Sequence, residues 1–376
     1  MAPISSIAQT KRFAKMAEVL ASRGYRVAFH GWERLKGEQD QRRTGGSSIR
    51  ELVLLRGGGH VNKLARLMYP LWSVAVFLRV LALGSRKTIF CLGLETALPA
   101  LIAARITRSK IIFDDGDRFS MTVRFASPIR RLVAAIEQLV SKSVHLHLVP
   151  TFSRYEWLHD RMELLENIPS RADLSAAKSI ARQAPPRSTE LVVYINGWIG
   201  QSRGAPVFLS VANFIAEHKL QIRILAAGRV DSESGRQLIS HPVVDFVGSL
   251  SAIDALALYY LSDVVLTYYD PAIPINRTAQ SNKWGDCIRA GVPFIVNEEV
   301  EAADVYVREG ISWSLPYSDS DQLGALLARL SVDRAELRTK AEVLRHAELP
   351  QDFETVTTEI FERHYILEQG PADEQP

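Results

Sequence analysis

The sequence predicts an α/β protein built of two doubly wound domains in series. Short β-branched runs alternate with segments of helical period along nearly the whole chain, the pattern of βαβ units around parallel sheets. The alternation stops at QAPPRSTE (183–190), where Pro-Pro can continue neither regular element, and then starts again. At 376 residues the chain is also longer than one core sustains.

The elements follow in order. Candidate strands of the first half are RVAFH (26–30), ELVLL (51–55), TIFCLG (88–93), KIIFDD (110–115) and HLHLVP (145–150). Helices are expected near 7–22, 61–83, 95–106, 128–142 and 152–160; Ile7, Phe13, Met16, Ala17 and Leu20 justify the first by their helical spacing. After the linker come LVVYING (191–197), QIRILAAG (221–228), VVDFVG (243–248), DVVLTYY (263–269) and PFIVNE (293–298). Helices are expected at about 204–218, 232–240, 251–262, 282–290, 300–309, 319–331 and 333–347. A last helix near 351–366 carries Phe353, Val356, Ile360, Phe361 and Tyr365 at helical spacing and is expected to return to the first domain. The predicted domains are 1–182 with 350–367, and 190–348. The tail GPADEQP is expected to be disordered.

Composition narrows the function classes. A 47% hydrophobic and 23% charged chain is globular and soluble. Cys91 and Cys287 lie far apart and form no CxxC, which points to neither a disulfide framework nor a zinc site. The first twenty residues hold no apolar core of a signal peptide, so a reducing, cytoplasmic setting is expected. Charge is unevenly spread: residues 1–186 hold 29 Lys+Arg against 15 Asp+Glu, and the remainder holds 16 against 27. The basic half is expected to face an anion, or to be a merely solvated surface. Nucleic acid ranks last, because RNP-like aromatic motifs, zinc fingers and basic repeats are absent. LARLMYPLWSVAVFLRVLAL (64–83) is interrupted by Arg66, Pro70 and Arg79, which argues against a membrane span. It fits an interfacial helix or a buried one, and the residues leave both open.

Four stretches carry possible chemistry. In YINGWIGQSRGAPVF (194–208) a strand runs through Gly197 into a turn with Arg203 and Gly204 before a helix. Glycines admit a phosphate to the backbone, the helix start offers free N–H groups, and arginine offers a fork; the same loop could simply turn the chain. ILAAGRV (224–230) ends its strand at Gly228, routine punctuation unless combined with its neighbours. In SNKWGDCIRAGVPF (281–294), Asn282 could cap a helix whose first residue is Lys283, an odd place for a cation unless an anion comes there. Asp286 lies three residues on, on the same face, where a carboxylate can accept two ribose hydroxyls. FDDGDRF (113–119) ends a strand in three acids around a glycine; these either cap and pair, with Arg118 and Arg124 at hand, or do acid–base work. A further loop, LLRGGGHVNK (54–63), reads as mobile, with His60, Arg56 and Lys63 as possible phosphate or acceptor contacts.

Taken in order, these segments resemble a known family. Strand-Gly-x-x-x-x-x-Arg-Gly, strand-Gly, Val-Asp-Phe-Val-Gly, helix, Ser-Asp-Val-Val-Leu and Asn-Lys-x-x-Asp-x-x-x-x-Gly-Val-Pro look like the nucleotide-sugar domain of GT-B glycosyltransferases. The resemblance covers about 190–300 and extends loosely into KIIFDDGDRF, LVPTFSRYEWL and LENIPS. It implies two Rossmann-like domains facing a cleft. It further implies a nucleotide-diphosphate sugar as donor and a saccharide or polyprenyl-linked acceptor, in polysaccharide synthesis at the inner membrane face. Gly197, Arg203, Gly204, Gly228 and Lys283 would serve the diphosphate, Asp286 the ribose, and Asp117 or Asp115 would be the base of an inverting transfer. No metal and no separate cofactor are expected, since such enzymes handle the leaving diphosphate with cations and helix dipoles.

The chain departs from the family pattern at several positions. Thr278 stands where many retaining members have glutamate, Asp286 replaces the second glutamate, and Trp198 follows Gly197 where an arginine is usual. Arg203 is then the only cation expected in that loop, and Ser281 replaces a proline. At the start, MAPISSIAQTKR leaves only Ala2–Ile4 for a first central strand, so either chain lies upstream or the sheet lacks a strand. A non-catalytic GT-B scaffold in an assembly complex and a sugar-nucleotide epimerase remain as alternatives.

Overall fold

The structure is a computed structural model that describes residues 1–37, 49–59, 63–122, 126–166, 168–184, 189–346 and 352–367. Two compact units emerge: Met1–Asn167 with Phe353–Pro376, and Ile168–Asp352.

In the first unit, β1 (Ala28–Glu33) pairs in parallel with β2 (Arg50–Arg56). A second parallel set runs β3 (Thr88–Leu92), β4 (Lys110–Asp114), β5 (Leu146–Val149) and β6 (Met162–Leu164). Residues 1–4 join the two sets. The Ala2 N–H donates to His30 O at 3.1 Å and the Trp32 N–H to Ile4 O at 2.8 Å, while the Leu92 N–H donates to Met1 O at 3.0 Å. The short segment expected to stand in for a first strand therefore does sit centrally, between β1 and β3. Gly31 makes room for it, since a β-carbon there would fall 2.4 Å from Ile4 O.

Helices cover both faces of this sheet because side chains alternate along each strand. Ile89 and Cys91 turn toward the core shared with helices Lys63–Ala82 and Leu94–Thr107. Phe90 turns the other way, edge-on to Phe13 of helix Lys11–Ser22 and packed on Phe361 of helix Phe353–Arg363. Helix Lys63–Ala82 is buried along one side and exposed along the other. Trp72, Val76 and Val80 are buried, while Leu71, Val74 and Leu78 stay more than half exposed. Among the described residues, no helix is long and apolar enough to cross a membrane.

The second unit holds six parallel strands in the order β12-β11-β10-β7-β8-β9. These are β7 (Leu191–Ile199), β8 (Ile222–Val230), β9 (Val244–Phe246), β10 (Val264–Thr267), β11 (Phe294–Asn297) and β12 (Ser312–Leu315). Leu191, Val193 and Ile195 point to the core under helices Ala205–Glu217 and Ser320–Val332. Tyr194 points to the opposite core, under helices Ala252–Tyr260 and Asn282–Ala290. The unit is doubly wound.

Three expectations change. No helix forms at 152–160: a 3₁₀ turn covers only Phe152–Arg154, and Tyr155 is extended so that its ring can pack against His147 and Trp157. Residues 171–182, placed in the first domain with no helix expected there, form helix Arg171–Arg182 in the second unit, where Ala177 is fully buried and Leu174 packs beside it. Strands β6 and β12 go unforeseen, being three and four residues long. Asn167 of LENIPS, His60–Asn62 of the Gly-rich loop, Arg124, the Pro-Pro of the linker and the tail lie outside the described residues.

Candidate functional site

In the second unit, β7 lies beside β10, where successive strands step off to opposite sides; ligands of open α/β sheets bind at the strand ends there. β7 ends in Gly197-Trp198-Ile199 and feeds a 3₁₀ turn, Gln201–Arg203. That turn is tied to the end of β10: Ser202 O accepts from the Asp270 N–H at 3.1 Å and from Asn276 Nδ2 at 3.4 Å. Tyr269 is pinned from the other side, its N–H donating to Asn297 Oδ1 at 2.8 Å and its carbonyl accepting from Asn297 Nδ2 at 3.1 Å. The Tyr269 hydroxyl donates to Ser281 Oγ at 2.7 Å, and Ser281 Oγ accepts the Lys283 N–H at 3.3 Å. Ser281, not Asn282, is therefore the helix cap.

These ties gather positive charge around two rings. The Arg203 guanidinium lies 4.7 Å from the Tyr269 centroid, and Lys283 Nζ lies 6.0 Å from it. Arg203 and Arg229 both approach Trp198, at 5.6 and 5.8 Å. Arg203 is the only cation of the loop itself, and Arg229 joins it from the end of β8. Neither Arg203 nor Lys283 is in a salt bridge among the described residues. Burial first, and the Arg203 charge second, push the Lys283 ammonium down to about 8. Asp286 is half-buried on the same helix; its charge, after burial, helps raise the Tyr259 hydroxyl.

The glycines divide by purpose. Gly197 (φ +87°) is exposed, and a β-carbon there would meet Lys283 Cε at 3.6 Å, so it borders the cations. Gly228 serves a neighbouring backbone: a β-carbon there would fall 1.8 Å from Gly197 O. Gly204 is buried against Tyr268 and Phe208 at the entrance of its helix.

In the first unit, acids collect at the end of β4. Asp114 is fully buried and bonded by Arg12 Nε at 2.8 Å, with burial raising its carboxyl. Asp115 is 2% exposed; its Oδ2 accepts the Tyr155 hydroxyl at 2.7 Å, and His147 Nε2 lies 3.8 Å away. Asp117 is exposed, with Arg154 Nη1 at 3.2 Å. Arg118, one of the two partners expected for these acids, pairs instead with buried Glu137 at 3.1 Å. Glu95, in the first turn of the helix after β3, is a fourth carboxyl. Burial, and more weakly Asp115, push it up to about 7.

The sequence missed Tyr269, Asn297, Arg229, Glu95 and Tyr155. The available signal was position: Tyr269, Asn297, Arg229 and Glu95 all lie at or just beyond the carboxyl end of a strand.

No protein-family model matches the chain, and no curated protein does. Solved structures do. Sucrose-phosphate synthase from Thermosynechococcus elongatus superposes with a TM-score of 0.66 at 16% identity, covering 97% of each chain. A structure from work on bisubstrate glycomimetics of trehalose-6-phosphate synthase gives 0.67 at 13%, covering 95% of this chain and 96% of that one. Anabaena Alr3699/HepE in complex with UDP gives 0.64 at 14%, covering 97% and 98%. Likeness at such identities, over nearly the full length of each chain, is a statement about architecture: this chain has the two-domain α/β fold of the GT-B glycosyltransferases.

Proposed function

We propose that the protein is a glycosyltransferase that moves a sugar from a nucleotide-diphosphate donor to a saccharide or lipid-linked acceptor, in the synthesis of a cell-surface polysaccharide. One observation carries the donor half. Arg203 and Lys283 face the same tyrosine, outside any salt bridge among the described residues, although the Arg203 charge opposes that of Lys283. Keeping two cations together at the switch point of a parallel sheet is costly unless an anion neutralises them. A diphosphate does so, and the ribose would then lie within reach of Asp286. The fold neighbour solved with UDP supports the same reading.

The reaction would run as a displacement. The acceptor oxygen bonds to the anomeric carbon while the bond from that carbon to the diphosphate breaks. Its electron pair moves to the diphosphate, where Arg203 and Lys283 stabilise the charge. The hydroxyl proton goes to a carboxylate of the first unit. Between the two candidates, Asp117 is the exposed one, whereas Asp115 is buried and held by Tyr155, which suits it to positioning.

A membrane-surface acceptor is supported by one face of the first unit. Helix Leu94–Thr107 packs on both Lys63–Ala82 and Ser127–Ser143. On these three, Leu78, Ile106, Leu132 and Leu139 stay more than half exposed among exposed Arg105, Arg108, Arg130 and Arg131. Apolar side chains interleaved with cations fit an anionic bilayer surface.

A thermal-shift screen of UDP-, GDP-, dTDP- and CMP-sugars tests the donor site. At least one should stabilise the wild type, and Lys283→Ala and Asp286→Ala should each weaken binding by roughly 10–100-fold, the range of a lost charge-assisted hydrogen bond. No stabilisation by any nucleotide sinks the assignment. A second reading, a nucleotide-sugar-binding scaffold without turnover, draws on Thr278 in place of an acid. Binding without product, across a panel of acceptors, would favour it.

A further inference from the structure

A buried polar cluster lies behind Asp115 in the first unit. Ser141, on helix Ser127–Ser143, and His147, on β5, are both fully buried. Ser141 Oγ lies 2.8 Å from His147 Nδ1, 2.8 Å from His159 Nε2 and 3.3 Å from Trp157 Nε1. The His147 ring lies flat on Phe113, with centroids 4.5 Å apart, and its Nε2 is 3.8 Å from Asp115 Oδ2.

Each bond in this cluster has a fixed direction. His159 Nδ1 accepts the Arg161 N–H at 3.2 Å, so the ring proton of His159 sits on Nε2 and is donated to Ser141. Burial first, and His147 second, hold the His159 imidazole below its ordinary value, which keeps it in this neutral form at neutral pH. An indole nitrogen only donates, so Trp157 donates to Ser141 as well. Ser141 Oγ then has both acceptor positions filled, and its single hydrogen goes to His147 Nδ1. The ring proton of His147 is therefore on Nε2, facing Asp115. At 3.8 Å it makes no hydrogen bond, and Nε2 has no other partner among the described residues. Every group from Arg161 to His147 donates toward Asp115, and none is set to accept from it. A proton on Asp115 has no way out along this chain.

The polarity makes the chain a support and not a relay. Asp115 Oδ2 already accepts the Tyr155 hydroxyl at 2.7 Å, and the His147 N–H is aimed at the same oxygen. Oδ1 has no hydrogen bond among the described residues and is not sealed from solvent. We propose that His147 is a positioning residue for sugar transfer: with Tyr155 it fixes the Asp115 carboxylate through Oδ2 and leaves Oδ1 to hold a hydroxyl of the acceptor. The inference rests on the transferase reading, and it leaves the proton itself to Asp117. Contacts of this kind are often long without substrate and tighten in the complex.

Two measurements test this. Long-range proton–nitrogen correlation spectra of isotope-labelled protein should show both His147 and His159 with the proton on Nε2, whatever the substrate. A proton on Nδ1 of His147 would overturn the proposal and leave the transferase reading intact. Transfer is then followed as nucleoside diphosphate released from the donor that stabilises the wild type, with octyl glucoside or water as acceptor. His147→Phe keeps a flat ring on Phe113 and removes the N–H. It should lower kcat by about 10–100-fold with donor affinity unchanged, the scale of a misplaced reacting group. His147→Gln carries an amide N–H and should recover most of that loss. Equal loss in both variants would make His147 merely structural, and no loss in either would show that Asp115 does not depend on it; each result overturns the proposal. No release by the wild type sinks the transferase reading and this role with it.

Discussion

Lys283 shows how one residue's surroundings set its chemistry. Its folded value of about 8 lies below the ordinary 10.5, so between pH 8 and 10.5 the unfolded chain holds more protons than the folded one. The stability that this group contributes therefore rises with pH across that window. Anion binding runs the other way, since the charge that attracts a diphosphate is lost above pH 8. We predict that the Kd for a nucleoside diphosphate, measured by calorimetry from pH 7 to 9.5, rises for the wild type and stays flat for Lys283→Met. Arg12 makes a stability case. It is the ion partner of fully buried Asp114, and Arg12→Ala should cost about 3–5 kcal/mol in urea unfolding by leaving a buried charge uncompensated. For chemistry, Asp117→Asn should lower the transfer rate by roughly 10²–10⁴-fold with donor affinity unchanged, the range for a lost general base.

At the scale of elements, the end of β7 depends on β8 approaching it where only glycine fits. Gly228→Ala would push a β-carbon into Gly197 O and displace the backbone that carries Trp198. A loss on the order of 3 kcal/mol, together with loss of nucleotide binding, is expected and readable by chemical denaturation and thermal shift. Elements also show where sequence reading gives out. Long helices with a regular apolar stripe, such as Lys11–Ser22, were legible from period alone. The segment 152–160 was not, because Tyr155 follows its contacts with Asp115 and His147 rather than a helical preference. Helix Arg171–Arg182 precedes the Pro-Pro linker yet belongs to the second unit, since its Ala177 and Leu174 fit that core. A linker in sequence marks where chain is irregular, not where a core ends.

At the scale of the whole molecule, the basic half of the chain also exposes apolar side chains. The first 186 residues carry 29 Lys+Arg against 15 Asp+Glu, and helices of the first unit expose Leu78, Ile106 and Leu132. We predict that the protein sediments with vesicles containing anionic lipid but not with neutral ones. Added salt should weaken the binding, and Ile106→Glu or Leu132→Glu should weaken it about tenfold without lowering Tm, since both side chains already face solvent. Equal sedimentation of wild type and variants would remove this face from the account of function.

The sequence by itself determined the α/β class, the division into two sheets and the segment holding Lys283 and Asp286. Each follows from local facts: strand and helix period, glycine punctuation and a cation at a helix start. Tertiary structure decided the rest. Tyr269 and Arg203 lie 66 residues apart and meet only because β10 joins the sheet beside β7. Arg229 reaches Trp198 only because β8 flanks β7 on its other side. Asp115 and Asp117, two residues apart and alike in sequence, are set apart by burial: one lies under Tyr155 and the other in solvent. The physical reason is common to all three. Periodicity is a property of neighbours in the chain, whereas desolvation and charge pairing are set by neighbours in space.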